Sequence, residues 1–277
     1  MDPLPLVKSI AVEAGQILLR YYNTGVEVYQ KPEGPQTVAD RESNEYIVSY
    51  LKKAFPLDAI LAEESVMSFD KSSENSLDNS LDKPGRLANP RVWCVDPLDD
   101  TKGYIQGGTT FTVIIGLAEH GRPILGVVYQ PFTQKLYFAQ QGRGAFMIDH
   151  LGNQTPLHVS SKESIDDAVI LLSNSRAGQY GGRITQSLPR AVIKRQSGSI
   201  KTCLVASGEA DAFICPRESP MMDWDLCGPE AILIEAGGSL THFNSELLRY
   251  NQSQPIHSGF IASNGRMHQK LIDKKLF

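Results

Sequence analysis

Apolar residues recur at a helical period at the start of the chain. Val7, Ile10, Ala11, Ala14, Ile17, Leu18 and Tyr21 fall on one face and predict an amphipathic helix over residues 4–22. The polar stretch that follows, "NTGVEVYQKPEGPQTVAD", carries Gly, Pro and charge and predicts a loop. Asp40 at its end stands where an N-cap belongs, ahead of Tyr46, Ile47, Tyr50, Leu51 and Ala54, so a second helix is expected over residues 40–54. The pattern then changes to short apolar runs. "AILA" (59–62) reads as a buried strand that ends in Glu63 and Glu64, and "RVWCV" (91–95) reads as another. "FTVIIGLA" and "ILGVVYQ", joined by a turn at Gly121, predict a hairpin, and "LYFAQ" and "GAFMI" continue its sheet. Residues 68–89 are rich in Ser, Asn and Asp and poor in apolar residues, which predicts a mobile surface loop.

After about residue 158 strands and helices alternate. "AVILLS", "RAVIKR", "ADAFICP", "GSLTHF" and "GFIAS" read as strands. "SIKTCLVASG" reads as a helix ending at Gly208, "DWDLCGPEAILIEAGG" as one stopped by Gly237 and Gly238, and "GRMHQKLIDKKL" as a last helix. The expected fold is therefore mixed α+β / α/β: helices over a largely antiparallel sheet first, then an α/β layer. A division follows from the change of pattern. Residues 1–157 form an N-terminal α+β subdomain and residues 158–277 a C-terminal α/β subdomain of one continuous fold, with no internal repeat.

Composition narrows the function classes. A chain of 277 residues suits one large domain or two packed subdomains. With 41% hydrophobic residues it can build a core, and a net charge of −4 with no basic run argues against a nucleic-acid binder. A small anionic substrate stays in play, because local charge can differ from net charge. "MDPLPLVKSIAVEAG" lacks the basic and apolar regions of a signal peptide, and no run approaches the about 18 apolar residues of a membrane span. Cys94, Cys203, Cys215 and Cys227 form no C-x-x-C pair, which argues against zinc and suggests reduced thiols in a cytoplasmic protein.

The candidate chemistry lies in carboxylates at element ends. "VDPLDDTKGY" sets Asp96, Asp99 and Asp100 just past a buried strand, around a Pro97 that stiffens the turn. Such a turn can aim two carboxylates and a backbone carbonyl at one point, a hard-oxygen set suited to Mg²⁺ or Mn²⁺. The same residues also suit a solvated Asp-rich turn with a helix cap, and spacing alone leaves both open. "LAEES" tips a second strand with Glu63 and Glu64, and "DWD" opens a helix with Asp223 and Asp225, which adds weight to the cation site. A helix opening near residue 100, and "SGSIK" with two hydroxyls and the Lys201 ammonium, would offer N–H groups to a phosphate. From spacing, Thr101 Oγ1 is placed to orient an attacking water.

These residues carry a resemblance. "WCVDPLDDT" is similar to the signature W-x-x-D-P-[IL]-D-G-T, and "WDLCGPEAILIEAGG" matches W-D-x-x-x-x-x-x-[IL]-[LIV]-x-x-A-G-G. Both belong to the lithium-sensitive, Mg²⁺-dependent phosphatase superfamily typified by inositol monophosphatase, and the chain resembles it from the first helix to "GFIASN". Within that superfamily "DDTKGYIQG", "FTVIIGL", "LLSNSR" and Lys201 resemble the 3′(2′),5′-bisphosphate nucleotidases. The resemblance implies a layered αβαβα sugar-phosphatase fold and a homodimer. It implies two or three Mg²⁺ per site, with Mn²⁺ as the alternative and Li⁺ as inhibitor. The implied ligands are Glu63, Asp96, Asp99, Asp225 and the Leu98 carbonyl, with Glu64 behind them. Asp40, from the family's V-T-x-x-D segment, would act with Thr101 on the nucleophilic water. The implied substrate contacts are Asp99, Asp100, Thr101, Arg176, Ser197, Ser199, Lys201, Glu218 and Asp225, with Arg217 or Glu218 touching the leaving group.

Two residues depart from the family pattern. Asp100 stands where the family carries Gly, and its carboxylate would repel a phosphate unless it turns outward or binds another cation. In "SGSIK", Gly198 replaces a hydroxyl expected three residues before the lysine. The expected activity is removal of the 3′-phosphate from adenosine 3′,5′-bisphosphate (PAP), giving AMP, and action on its sulfated analogue PAPS, within sulfur assimilation. Glu218 keeps inositol phosphate and fructose 1,6-bisphosphate as alternative substrates. Asp100 and the acidic loop 68–89 motivate a third alternative, a nucleotide or phosphate sensor with weak catalysis.

Overall fold

The computed structural model describes residues 2–31, 34–66, 84–174 and 177–276. Helix α1 (Leu4–Tyr21) buries the predicted face, from Val7 to Leu18. Strands β1 (Val28–Lys31) and β2 (Gly34–Thr37) pair antiparallel within the segment expected to be a loop. Their composition, V-Y-Q-K and G-P-Q-T, carries no apolar alternation by which a strand could be read. Helix α2 (Val38–Ala54) starts earlier than expected, with Thr37 and not Asp40 as its N-cap. Thr37 is extended, and its Oγ1 accepts the Ala39 N–H at 3.1 Å. Asp40, at the third helical position, accepts the Thr37 N–H at 2.8 Å, which closes a capping box.

Strand β3 (Ala59–Ala62) runs directly into α3 (Glu63–Val66). Of the expected loop 68–89, residues 68–83 lie outside the described residues. The remainder departs from a loop: α4 (Pro84–Ala88) is helical, because Arg86 is buried and donates to Asn251 Oδ1 at 2.7 Å and to the Gln252 carbonyl at 3.2 Å. Strand β4 (Arg91–Asp99) and helix α5 (Thr101–Ile105) follow. Then come β5 (Thr112–Glu119), β6 (Arg122–Gln130), β7 (Lys135–Gln140), β8 (Ala145–Ile148) and the short exposed β9 (Gln154–Pro156). Strands β3 to β9 form one seven-stranded sheet in sequence order, antiparallel except for the β3–β4 pair.

The second half opens with β10 (Val169–Ser173), α6 (Ala177–Ser187) and β11 (Val192–Gln196). Helix α6 had no sequence signal, since Gly178, Gly181 and Gly182 depress its propensity. It is followed by α7 (Ile200–Ala206), β12 (Ala212–Cys215), β13 (Met221–Met222) and α8 (Asp223–Glu235). The chain ends through β14 (Ser239–His242), β15 (Ile256–His257), β16 (Phe260–Ser263) and α9 (His268–Asp273). A five-stranded mixed sheet has the order β11-β10-β12-β16-β14, with β10 parallel to both its neighbours.

Five layers result, in the αβαβα order. Helices α1 and α2 cover one face of the large sheet around Trp93, Val113 and Val127. Helices α7 and α8 fill the space between the two sheets, and α6 and α9 cover the far face of the small one. Helix α8 is buried on all sides, so it is apolar around most of its circumference. It approaches the large sheet through glycines: a Cβ on Gly126 of β6 would stand 2.0 Å from the Gly228 carbonyl oxygen of α8. That contact sets the depth of α8, and with it the place of Asp225 opposite the end of β4. Among the described residues no helix is long and apolar enough to cross a membrane, and all four cysteines are buried and unbridged.

Candidate cation and phosphate site

Strand β4 ends in an irregularity between Asp96 and Asp99, where pairing with β5 skips around Pro97. The turn is braced on both sides. Asp96 Oδ1 accepts the Leu98 N–H at 3.0 Å, and Ser43 Oγ from α2 donates to the Pro97 carbonyl at 3.0 Å. Asp225 sits at the third position of α8 and its Oδ2 accepts the Met222 N–H at 2.7 Å. One carboxylate oxygen from each of Asp96, Asp99 and Asp225 lies within 4.8 Å of the others. Glu63, the first residue of α3, is hydrogen-bonded to Asp96. Residues of β4 and α8, 129 positions apart at the extreme (96 to 225), thus meet at one point, with Glu63 of α3 beside Asp96.

Burial and mutual repulsion dominate the electrostatics. Burial raises the Glu63 and Asp96 carboxyls well above their usual range, and neighbouring carboxylates add to it. Asp225 is raised to about 7, first by burial and then by Asp99. Carboxylates this close demand protons or cations. An all-oxygen set with no sulfur or imidazole fits Mg²⁺ or Mn²⁺ and not a soft metal.

Asp99 is held from outside the cluster. Its Oδ2 accepts the Ser199 N–H at 2.5 Å and the Thr112 hydroxyl at 3.1 Å, and its Oδ1 accepts the Ser199 hydroxyl at 3.1 Å. The Ser199 N–H, expected to face a phosphate, is therefore directed to a carboxylate. On the other side of the turn, Thr101 Oγ1 lies 3.1 Å from Asp40 Oδ1 and 3.0 Å from the Leu98 carbonyl oxygen. Asp40 is buried, and burial raises its carboxyl despite hydrogen bonds from Thr37 and Thr101.

A cleft of about 250 Å³ opens beside the cluster. Asp99, Asp100 and Asp225 form its acidic wall, and Ser199 and Lys201 stand next to them. Phe213, Cys215 and the segment that includes Ser219, Pro220 and Met221 also line the cleft. Lys201 is buried. Its ammonium donates to the Gly198 carbonyl and lies 4.9 Å from the Phe213 ring centre. Burial lowers its pKa, and Asp99 is the first of several carboxylates that oppose the shift.

Asp100 adopts a left-handed backbone, φ 68° and ψ 46°. This explains the glycine of the family pattern. Asp is among the few other residues that accept this conformation. Its carboxylate turns toward α5, where it accepts the Gly103 N–H at 3.3 Å and the Thr110 hydroxyl at 3.1 Å. Burial, then Asp99, raises its pKa.

Other predicted residues lie apart from the cleft. Ser197 Oγ accepts from Asn174 at 2.9 Å, and neither it nor Arg217 nor Glu218 lines the cleft. Arg217 and Glu218 are exposed on the segment after β12, and Arg217 lies 5.8 Å from the Phe243 ring centre. Arg176 lies outside the described residues. Sequence reasoning missed Thr110 and Thr112, although the alternation T-F-T ahead of a buried strand places both hydroxyls on one side. It also missed Ser43, Cys215 and Ser219, for which no local pattern exists.

The description "inositol monophosphatase family" fits residues 4–276. The 3′(2′),5′-bisphosphate nucleotidase CysQ of Buchnera aphidicola is 31% identical over 267 residues, covering 94% of this chain and 93% of that protein. The fructose-1,6-bisphosphatase/inositol-1-monophosphatase of Thermotoga maritima is 26% identical over 278 residues, covering 98% and 95%. Among solved structures, the Thermotoga maritima IMPase superposes with a TM-score of 0.78 at 25% identity, covering 99% of this chain and 96% of the other.

Proposed function

The chain belongs to the inositol monophosphatase family, and from that premise we propose that it is a cytoplasmic, Mg²⁺-dependent 3′(2′),5′-bisphosphate nucleotidase. Its substrate in this reading is adenosine 3′,5′-bisphosphate, its products are AMP and phosphate, and PAPS is a second substrate. The observation that carries the reading is a buried cation, Lys201, lining the same cleft as Asp99 and Asp225 of the carboxylate cluster. Metal ions at the carboxylates would serve the phosphate that is removed. The lysine then remains for a second phosphate, which a bisphosphate has and an inositol monophosphate lacks. Likeness to a bisphosphate nucleotidase at 31% identity supports the same choice.

Glu63, Asp96, Asp99, Asp225 and the Leu98 carbonyl would hold the cations. When bound, divalent cations polarise the phosphoryl group and lower the pKa of water. Thr101 Oγ1, directed to Asp40 Oδ1, keeps lone pairs free to orient the attacking water, and Asp40 receives its proton. A carboxyl whose pKa burial has raised is the better base for this. The exposed segment at Arg217 and Glu218 would meet the AMP that leaves.

A second reading, hydrolysis of inositol 1-phosphate or fructose 1,6-bisphosphate, rests on likeness to the Thermotoga protein. Phosphate release from all three substrates and PAPS, with Mg²⁺ titrated and Li⁺ added, separates the two. The proposal requires the highest kcat/KM on the bisphosphate nucleotide and loss of turnover in EDTA. A preference for inositol phosphate overturns it in favour of the second reading. The sensor alternative is favoured instead if nucleotide binds without any turnover under saturating Mg²⁺.

A further inference from the structure

Asp99 and Asp100 are adjacent in sequence, and two residues of one extended segment hold them. Thr110 donates to Asp100 Oδ2 at 3.1 Å and Thr112 to Asp99 Oδ2 at 3.1 Å. Between them Phe111 points the opposite way, into the core, with its ring 4.9 Å from Tyr104 and 5.4 Å from Tyr22. This is side-to-side alternation at the entry to β5, used as a clamp: one side chain anchors, and the two flanking hydroxyls grip successive carboxylates. The grip depends on Asp100 facing α5. A side chain at Gly103 would place its Cβ 2.3 Å from Asp100 Oδ2, so the glycine makes room for the carboxylate. The Gly103 carbonyl in turn accepts the Gly108 N–H at 2.7 Å, which folds the loop back toward Thr110.

We propose that Asp100 is a positioning residue for the cation site: through Thr110 it fixes the start of β5, and so the angle at which Thr112 presents Asp99 to Asp96 and Asp225. Asp100 touches neither cation nor transferred phosphate in this role. The inference rests on the phosphatase reading only in taking the cluster as the cation site, and it holds for any of the substrates considered above.

Calorimetric titration of Mg²⁺ into the metal-free full-length protein tests it without reference to substrate. Thr110→Val and Asp100→Ala should each raise the Mg²⁺ dissociation constant about fivefold, the worth of one hydrogen bond. The double variant should be no weaker than Asp100→Ala alone, because both changes break one link. Asp100→Asn tolerates the left-handed backbone, retains an oxygen acceptor for Gly103 and offers an amide N–H that Thr110 Oγ1 can accept, so it should restore affinity to within about twofold of the parent. Melting of the metal-free variants separates a general loss of stability from a loss of cation affinity. If Asp100→Ala does not fold, Thr110→Val and Asp100→Asn carry the test. Dissociation constants unchanged in Thr110→Val overturn the proposal, as do single effects that multiply in the double variant. A Mg²⁺ affinity that obeys these expectations while PAP is not hydrolysed leaves the clamp standing and rejects the substrate.

Discussion

Replacing Asp225 by Asn should make the metal-free protein more stable and the enzyme inactive. Asp225 has its pKa raised from 3.8 to about 7, by burial first and by Asp99 second. The unfolded chain titrates this group near its ordinary value, so folding takes up a proton between the two values. The stabilisation tied to that proton is complete below about pH 4 and is lost as pH rises through 7. At about 1.4 kcal/mol per pKa unit, the loss is at most ~4 kcal/mol. The amide of Asp225→Asn would copy the protonated acid in shape and charge, and its carbonyl could still accept the Met222 N–H now made at 2.7 Å. In EDTA the variant should therefore melt with the parent near pH 4 and above it at pH 8, by up to about 8 °C at ~2 °C per kcal/mol. Scanning calorimetry across that range reads the difference directly. Added Mg²⁺ should raise the melting temperature of the parent at pH 8 and leave the variant almost unmoved, and phosphate release should fall by orders of magnitude. A melting difference that does not change with pH, or a variant less stable than the parent at pH 8, would refute the account of the cluster as stored repulsion.

Three further outcomes follow from the geometry. Gly126→Ala should lower the urea midpoint by an amount worth ~3 kcal/mol or more, because its Cβ would stand 2.0 Å from the Gly228 carbonyl; an unchanged midpoint removes the glycine contact as the stop for α8. Thr101→Val should cut kcat about 100-fold with KM within about threefold, since it removes the hydroxyl between Asp40 and the turn; a loss confined to KM assigns Thr101 to binding instead. Lys201→Met should raise KM for adenosine 3′,5′-bisphosphate at least about tenfold more than for adenosine 3′-monophosphate, and equal losses on both would place the lysine at the transferred phosphate.

What could be read from the sequence was whatever periodicity or short-range spacing encodes. Helix α1, the β5–β6 hairpin and the Gly237 stop of α8 all announce themselves within a few residues. So do Asp96 and Asp99, whose spacing around Pro97 is a local fact. What stayed hidden depends on partners far along the chain. Strands β1 and β2 are polar because neither forms part of the two main sheets, and α4 is helical through Arg86 binding residues about 165 positions later. Helix α6 contradicts its own glycines and is stabilised by burying Ile184, with Leu188 just past its end, against β10 and α9. In the site, Thr110 and Thr112 are unremarkable as residue types. Only the register of β5 on β4, which pairs Thr112 with Asp99, turns them into a clamp.

The same long-range supports explain how a sequence can keep so many acids together. Each aspartate of the cluster accepts a hydrogen bond from a group held in place by the fold. The Leu98 N–H serves Asp96, Ser199 and Thr112 serve Asp99, and the Met222 N–H serves Asp225. These bonds orient the oxygens but do not neutralise them, as the raised pKa values of Asp96 and Asp225 show. The layers therefore hold a repulsive arrangement that a proton or a divalent cation relieves, and relief by a cation is worth more as pH rises and protons become scarce. A site that only needed to be stable would have placed an arginine among these acids. Lys201, the nearby cation, is instead held aside on the Gly198 carbonyl and the Phe213 ring, in the cleft beside the acids and not among them. In the proposed reading, that arrangement would let two phosphates be distinguished, one at the cations and one at the lysine.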